Sequence, residues 1–314
     1  MDAFSKSKVE LEDALKHLLK AERAGRKPGA DSLAGALGLE RNHAVELLAR
    51  LSASGLVDWR DDGYVLTRQG RSYAMQMIRA HRLYETYLAD QTGVLDRKWH
   101  AIAETEEHRI GPEALRHMEA ALGYPRFDPH GDPIPSEEGE LPALAGVSLI
   151  NLADGAVCRV VHVEDEPEKV FDRIADYQIA AGVKIEVVSR NPSGMLIKME
   201  GIHIRLDEPM AANITVQVLP ESERPDPALY RLSTLGQGEA AEVDSLSPAC
   251  RGAERNRLLD LGVVAGASIR YEYAGPSGYP VAYRIRGALM ALRREQTDRI
   301  LVRREKLNLA AEAT

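Results

Sequence analysis

Arg79–Arg109 reads RAHRLYETYLADQTGVLDRKWHAIAETEEHR, and its spacing decides the fold at the centre of the chain. It predicts two helical segments. On the first, Ala74, Met77, Ile78, Tyr84 and Leu88 recur at helical spacing, and His81 and Glu85 fall within the same stripe. On the second, His100, Glu104, Glu107 and His108 stand at i, i+4, i+7 and i+8, one face of a helix. Imidazoles and carboxylates turned inward are costly unless something neutralises them. A divalent cation bound through oxygen and nitrogen does so. A solvated helix face or a satisfied core histidine explains any one of these residues equally well. What speaks for an ion is that two neighbouring helices each present a convergent set.

Upstream, Val9–Ala24 reads as a helix with Leu11, Leu15, Leu18 and Leu19 on one stripe, ended by Gly25 and Pro28. Asp31 reads as an N-cap for a short helix, SLAGALG. Gly38 turns the chain, and Glu40–Ser54 forms a second helix with Ala44, Leu47, Leu48 and Leu51 inside. Leu56–Arg60 and Tyr64–Thr67 then flank Asp61-Asp62-Gly63, a hairpin signal. Helix, turn, helix and hairpin make a winged helix. Its second helix would enter the major groove with Arg41, Asn42 and His43 as base or phosphate contacts, and Arg60 on the hairpin would meet the backbone. Glu40 and Glu46 lie on or near the same surface, where Glu46 would repel phosphate. A winged helix serving protein contacts is the alternative.

Downstream, Pro112–Leu122 predicts a helix with Leu115, Met118 and Leu122 apolar and Gly123 at the stop. YPRFDPHGDPIPSEEGE follows, and its Pro, Gly and acid content reads as an extended linker that buries little. From Leu141 short alternating strands take over, with turns such as NPSG between them, fitting a small β-barrel. After a second linker, PESERPDP, the pattern repeats from Leu229. IADYQIAAGVKIEVVSRNPSG parallels LLDLGVVAGASIRYEYAGPSG, a tandem duplication.

The 314 residues are 28% charged and 44% hydrophobic, enough for two or three domains. Apolar runs such as LGVVAGASI are far too short to cross a membrane, and MDAFSKSKVE has no secretory h-region. Cys158 and Cys250 fit no metal motif and read as reduced cytoplasmic thiols. The net charge of −8 is uneven: residues 1–80 carry 13 Lys+Arg against 11 Asp+Glu, the remainder 27 against 37. Only the first segment suits a polyanion, while the acidic remainder suits cations.

HRLYE, H-x-x-x-E-x-x-E-H and FDPHGDPIP together resemble the diphtheria-toxin-repressor family of iron- and manganese-dependent repressors, over about Val9 to Pro135. The resemblance puts Glu10 where iron-type members carry a methionine ligand and manganese-type members an acid. It puts Asp13 at a second acid of the manganese type. Glu104 matches the manganese-type glutamate and replaces an iron-type cysteine. The implied principal site is Glu10, Glu104, Glu107 and His108, with Asp13 and His81 bridging or supplementing it. His81, Glu85 and His100 match the iron-type ancillary site, and His100 is lacking in manganese-type members, so the sequence is a mixture. Carboxylates with imidazole suit Mn²⁺ or Fe²⁺, and no thiolate or thioether is offered for copper(I) or a closed thiolate zinc site.

RLLDLGVVAG, GPSGYPVAYRIRG and ALRREQTDRILV resemble FeoA-like SH3 barrels. Iron-type members carry one such barrel, so a second is a departure. The expected architecture is α+β and multidomain: a winged helix-turn-helix at 1–72, an all-α metal-binding and dimerisation domain at 73–126, a linker at 127–140, and FeoA/SH3-like domains at 141–220 and 229–306. The expected function is a metal-activated, non-enzymatic transcriptional regulator: a cytoplasmic homodimer on a palindromic double-stranded DNA operator. The rivals are a metal-dependent hydrolase, for which no HExxH, nucleophile elbow or phosphate loop is present, and a FeoA-like metal-handling adaptor that does not bind DNA.

Overall fold

The computed structural model describes residues 3–191 and 194–304. Pro192 and Ser193 of the NPSG turn, Met1 and Asp2, and the end of the last expected domain at 305–306 lie outside the described residues. Two compact units emerge: Met1–Tyr87 with Lys98–Asp128 and Asp132–Ala143, and Leu88–Arg97 with Pro129–Gly131 and Leu144–Thr314.

The first unit begins with α1 (Ala3–Arg23), α2 (Ala30–Leu37) and α3 (Arg41–Ala53). Leu15, Leu18 and Leu19 of α1 are buried with Leu33 of α2 and with Ala44, Leu47, Leu48 and Leu51 of α3, the stripes read from the sequence. Each such leucine stabilises the unit by roughly 1.5–3 kcal/mol. Strands β1 (Val57–Arg60) and β2 (Gly63–Leu66) pair from Val57↔Leu66 to Arg60↔Gly63. Asp61 and Asp62 both have positive φ, the geometry of a two-residue hairpin loop. The wing closes on α4 (Arg68–Gln91), where a Cβ at Gly70 would lie 1.9 Å from Leu56 O. Helices α5 (Trp99–Glu106) and α6 (Pro112–Ala121) complete the unit.

Two expectations change here. α5 stops at Glu106, and Glu107 and His108 lie in the turn that follows rather than in the helix. The 124–140 segment is not an open linker: Asp128 and Ile134 are buried, Phe127 bridges Pro133, and Asp128 N–H donates to Asp132 O at 2.9 Å. Arg82 of α4 fastens it, donating to Pro133 O at 2.6 Å and Asp132 Oδ1 at 2.7 Å. Composition alone could not reveal that one guanidinium satisfies this polar loop.

The second unit holds two six-stranded antiparallel sheets. The first contains β3 (Val147–Ser148), β4 (Val157–Val163), β5 (Lys184–Asn191), β6 (Gly194–Met199), β7 (Ile202–Leu206) and β8 (Ile214–Val218), in the order β3-β8-β4-β5-β6-β7. The second contains β9 (Leu229–Arg231), β10 (Ala240–Leu246), β11 (Ser268–Ala274), β12 (Val281–Ile285), β13 (Ala288–Leu292) and β14 (Ile300–Arg304), in the order β9-β14-β10-β11-β12-β13. Strand for strand the orders are the same. The register shifts also coincide: Val160/His162 with Val243/Ser245, and Val187/Ser189 with Tyr271/Tyr273. Shared bulges at equivalent places are the structural mark of the duplication.

One buried ion pair joins the two barrels. Glu200 Oε2 accepts from Arg231 Nε at 2.9 Å, and its Oε1 accepts from Ser247 Oγ at 2.5 Å. Glu200→Ala strands a buried guanidinium, so it is expected to lower the stability of this unit by about 3–5 kcal/mol. Thermal melts of the variant check this, and an unchanged midpoint would refute it.

Candidate metal centre and nucleic-acid interface

The stripe on α4 turns His81 and Glu85 inward, and the His100 ring of α5 meets them. His81 Nε2 lies 3.1 Å from Glu85 Oε1 and 3.2 Å from His100 Nδ1, and the last two atoms are 3.5 Å apart. Ligands on adjacent positions of an ion with bonds of about 2.1 Å are separated by roughly 3–3.5 Å. The triangle therefore fits a divalent cation with two imidazoles and one carboxylate, a set suited to iron(II) or manganese.

A second cluster joins Asp13 of α1 to Glu107 and His108 after α5. His108 Nε2 is 3.3 Å from Asp13 Oδ1 and 3.6 Å from Glu107 Oε1. Asp13 Oδ1 is buried without a well-formed hydrogen bond, and the charge that faces it in the metal-free chain is the His108 imidazolium. The donor set fits a hard divalent ion. Glu107 connects the two clusters, because its Oε2 accepts from His81 Nδ1 at 2.5 Å.

The protons of this centre are held in place by carboxylates. Burial alone would lower the pKa of His81, but hydrogen bonds to Glu107 and Glu85 outweigh it and raise the value to about 9. For His108, burial is likewise outweighed by Asp13 and Glu12, again to about 9. Burial would raise the pKa of Glu12, yet His108, Tyr73 and Lys8 hold it below the usual range. At neutral pH two imidazolium ions thus occupy the place of metal charge. Both thiols, Cys158 and Cys250, are buried, which pushes them up to about 12 and about 11, so neither offers a thiolate.

The expected ligands divide. Asp13, Glu107 and His108 come together, as do His81, Glu85 and His100. Glu10 joins neither cluster; its Oε2 meets His43 Nε2 at 2.9 Å. Glu104 is 54% exposed and faces Lys16 and His100 instead. Because α5 ends at Glu106, Glu107 and His108 no longer follow its helical spacing: they point inward from the turn, while Glu104, still in the helix, stays exposed.

Sequence reasoning missed Glu12. Its Oε2 holds His108 Nδ1 at 2.7 Å, directing Nε2 at Asp13 and Glu107. The signal was present: Glu12 lies three and seven residues before Leu15 and Leu19, on the apolar stripe of α1. Tyr73 donates to its other oxygen at 2.5 Å.

On the other face, Arg41, Asn42 and His43 are exposed at the start of α3, along with Val45 and Glu46. Arg41 Nε pairs with Asp31 at 2.7 Å, and Arg60 pairs with Asp58 at 2.9 Å on the wing. These are exposed pairs of little energetic weight, open to exchange for phosphate.

A winged helix, a helical segment with two carboxylate–imidazole clusters, and paired FeoA-type barrels define a metal-responsive regulator class. Residues 67–136 match the family model described as iron dependent repressor, metal binding and dimerisation domain, and residues 147–218 and 230–304 match the FeoA domain. The chain is similar to members of the diphtheria-toxin-repressor family. It is 27% identical over 217 residues to the diphtheria toxin repressor of Corynebacterium diphtheriae, covering 65% of this chain and 95% of that one. It is 25% identical over 218 residues to the iron-dependent repressor IdeR of Mycobacterium tuberculosis, covering 65% and 94%. A solved manganese-dependent transcriptional repressor in complex with manganese aligns with TM-score 0.59 and 29% identity, over 66% of this chain and all of that one.

Proposed function

We propose that this chain is a transcriptional repressor that binds DNA in response to Mn²⁺ or Fe²⁺, acting as a homodimer on a palindromic operator. The observation that carries this reading is the Asp13–Glu107–His108 cluster. Asp13 belongs to the first helix of the winged helix and the other two to the turn after α5, so shared ligands tie the two segments together. His81, Glu85 and His100 would hold a second ion. A bound ion would take over the neutralising role that the His81 and His108 imidazolium ions play toward these buried carboxylates in the metal-free chain.

The remaining steps belong to the chain. Glu12 fixes the His108 ring, and Glu107 fixes His81 while serving the first cluster. One turn before Asp13, Glu10 contacts His43 at the start of α3, which gives α1 a direct hold on the reading helix. Arg41, Asn42 and His43 would contact the major groove and Arg60 the backbone. Coupling of this kind is reciprocal: DNA tightens metal binding by the factor by which metal tightens DNA binding, typically about 1–3 kcal/mol. Among the described residues no helix is long and apolar enough to cross a membrane.

Gel shift on double-stranded genomic fragments tests the reading. Binding is expected with Mn²⁺ or Fe²⁺, with loss on adding chelator and a weaker, less salt-dependent complex for Arg41→Ala. DNA binding indifferent to chelator would end it, and no DNA binding under any condition would favour an adaptor.

A further inference from the structure

Lys16 stands on α1 three residues after Asp13 and reaches the same centre. Its Nζ lies 2.6 Å from Glu107 Oε1 and 4.0 Å from Glu104 Oε1, and its side chain is only 20% exposed. Glu107 Oε1 is also the oxygen that faces His108 Nε2, while Oε2 is taken by His81. An ion bound to Asp13, Glu107 and His108 therefore shares Glu107 Oε1 with an ammonium or displaces it. Without that ammonium, Glu104 and Glu107 would offer two carboxylates on this side of the centre. With it, a positive charge already stands there, held by the backbone of the helix that supplies Asp13.

We propose that Lys16 is a tethered cation that limits the Asp13–Glu107–His108 cluster to one ion and sets its affinity. This rests on the metal reading above. A divalent ion on Glu107 comes within a few ångströms of the ammonium, in surroundings where like charges are poorly screened. Part of the attraction of Glu107 is also already spent on Lys16. A Lys16 side chain without charge removes both effects, and a carboxylate in its place converts the region into a second oxygen-rich pocket.

The test is Mn²⁺ binding to the full-length metal-free chain, followed by titration calorimetry and by the paramagnetic resonance signal of free Mn²⁺. Lys16→Met and Lys16→Gln, the latter keeping a donor to Glu107, are expected to tighten binding by about tenfold or more with stoichiometry unchanged. Lys16→Glu is expected to bind one more ion per chain than the parent, and Lys16→Arg to match the parent. Parent-like affinity in both neutral variants, or parent-like stoichiometry in Lys16→Glu, overturns the proposal. Asp13→Ala in the same series separates the two ideas: if it binds Mn²⁺ as the parent does, the cluster is not a metal site, whatever Lys16 does.

Discussion

Replacing Glu107 with glutamine is expected to weaken Mn²⁺ binding by at least about 100-fold and to abolish metal-dependent DNA binding, with the fold retained. Glu107 serves both clusters through its two carboxylate oxygens. One oxygen belongs to the Asp13–His108 cluster, and the other orients His81 through a 2.5 Å hydrogen bond. Glutamine keeps the volume of this fully buried side chain while removing its charge. The variant therefore loses a ligand at one cluster and the carboxylate behind an imidazole at the other. Glu104→Ala is the contrast: its carboxylate is 54% exposed and belongs to neither cluster, so a change of under about threefold is expected. Metal titration read out by DNA binding distinguishes the two. A Glu107→Gln chain that still responds to manganese and iron at parent concentrations would rule out this centre, and a Glu104→Ala chain that fails to respond would restore the ligand set expected from the resemblance.

That contrast marks how far the sequence could be read. Helical spacing alone brought His81 and Glu85 inward, because both fall within an apolar stripe whose direction is set by burial of residues such as Ala74, Met77 and Leu88. The barrel duplication was equally legible, since strand alternation and turn residues repeat in register. The α1 ligand was not. Glu10, Glu12 and Asp13 lie within four residues, and periodicity cannot decide which one meets a centre more than ninety residues away. The structure turns Glu10 toward His43 and brings Glu12 and Asp13 to His108. Lys16 was equally hidden, because a lysine at the margin of an apolar stripe ordinarily extends to solvent. The burial of Asp128 depends on Arg82, a partner some fifty residues away that no local window contains.

Manganese affinity is expected to climb steeply with pH below about 9, and uptake at neutral pH to release close to two protons per chain. His81 and His108 both titrate near 9 in the metal-free chain, because the carboxylates around them outweigh burial. An ion needs the neutral imidazole, so each histidine must lose the proton on the nitrogen facing its cluster. Each competing proton makes affinity rise about tenfold per pH unit, and the rise flattens once the pH passes the metal-free value. The same shifts fix the stability of the metal-free chain, with the opposite sign. A histidine raised from 6.5 to about 9 on folding contributes stability that is fully present below pH 6.5 and is lost as pH rises through about 9. Under chelator the melting temperature should therefore fall across that window, while manganese should protect more strongly at its upper end. Calorimetric titration in buffers of different ionisation enthalpy counts the protons directly. A count near zero at pH 7, with affinity flat from pH 6.5 to 8.5, would mean that the two imidazoles are already neutral and that the carboxylates around them do not hold the charge assigned to them.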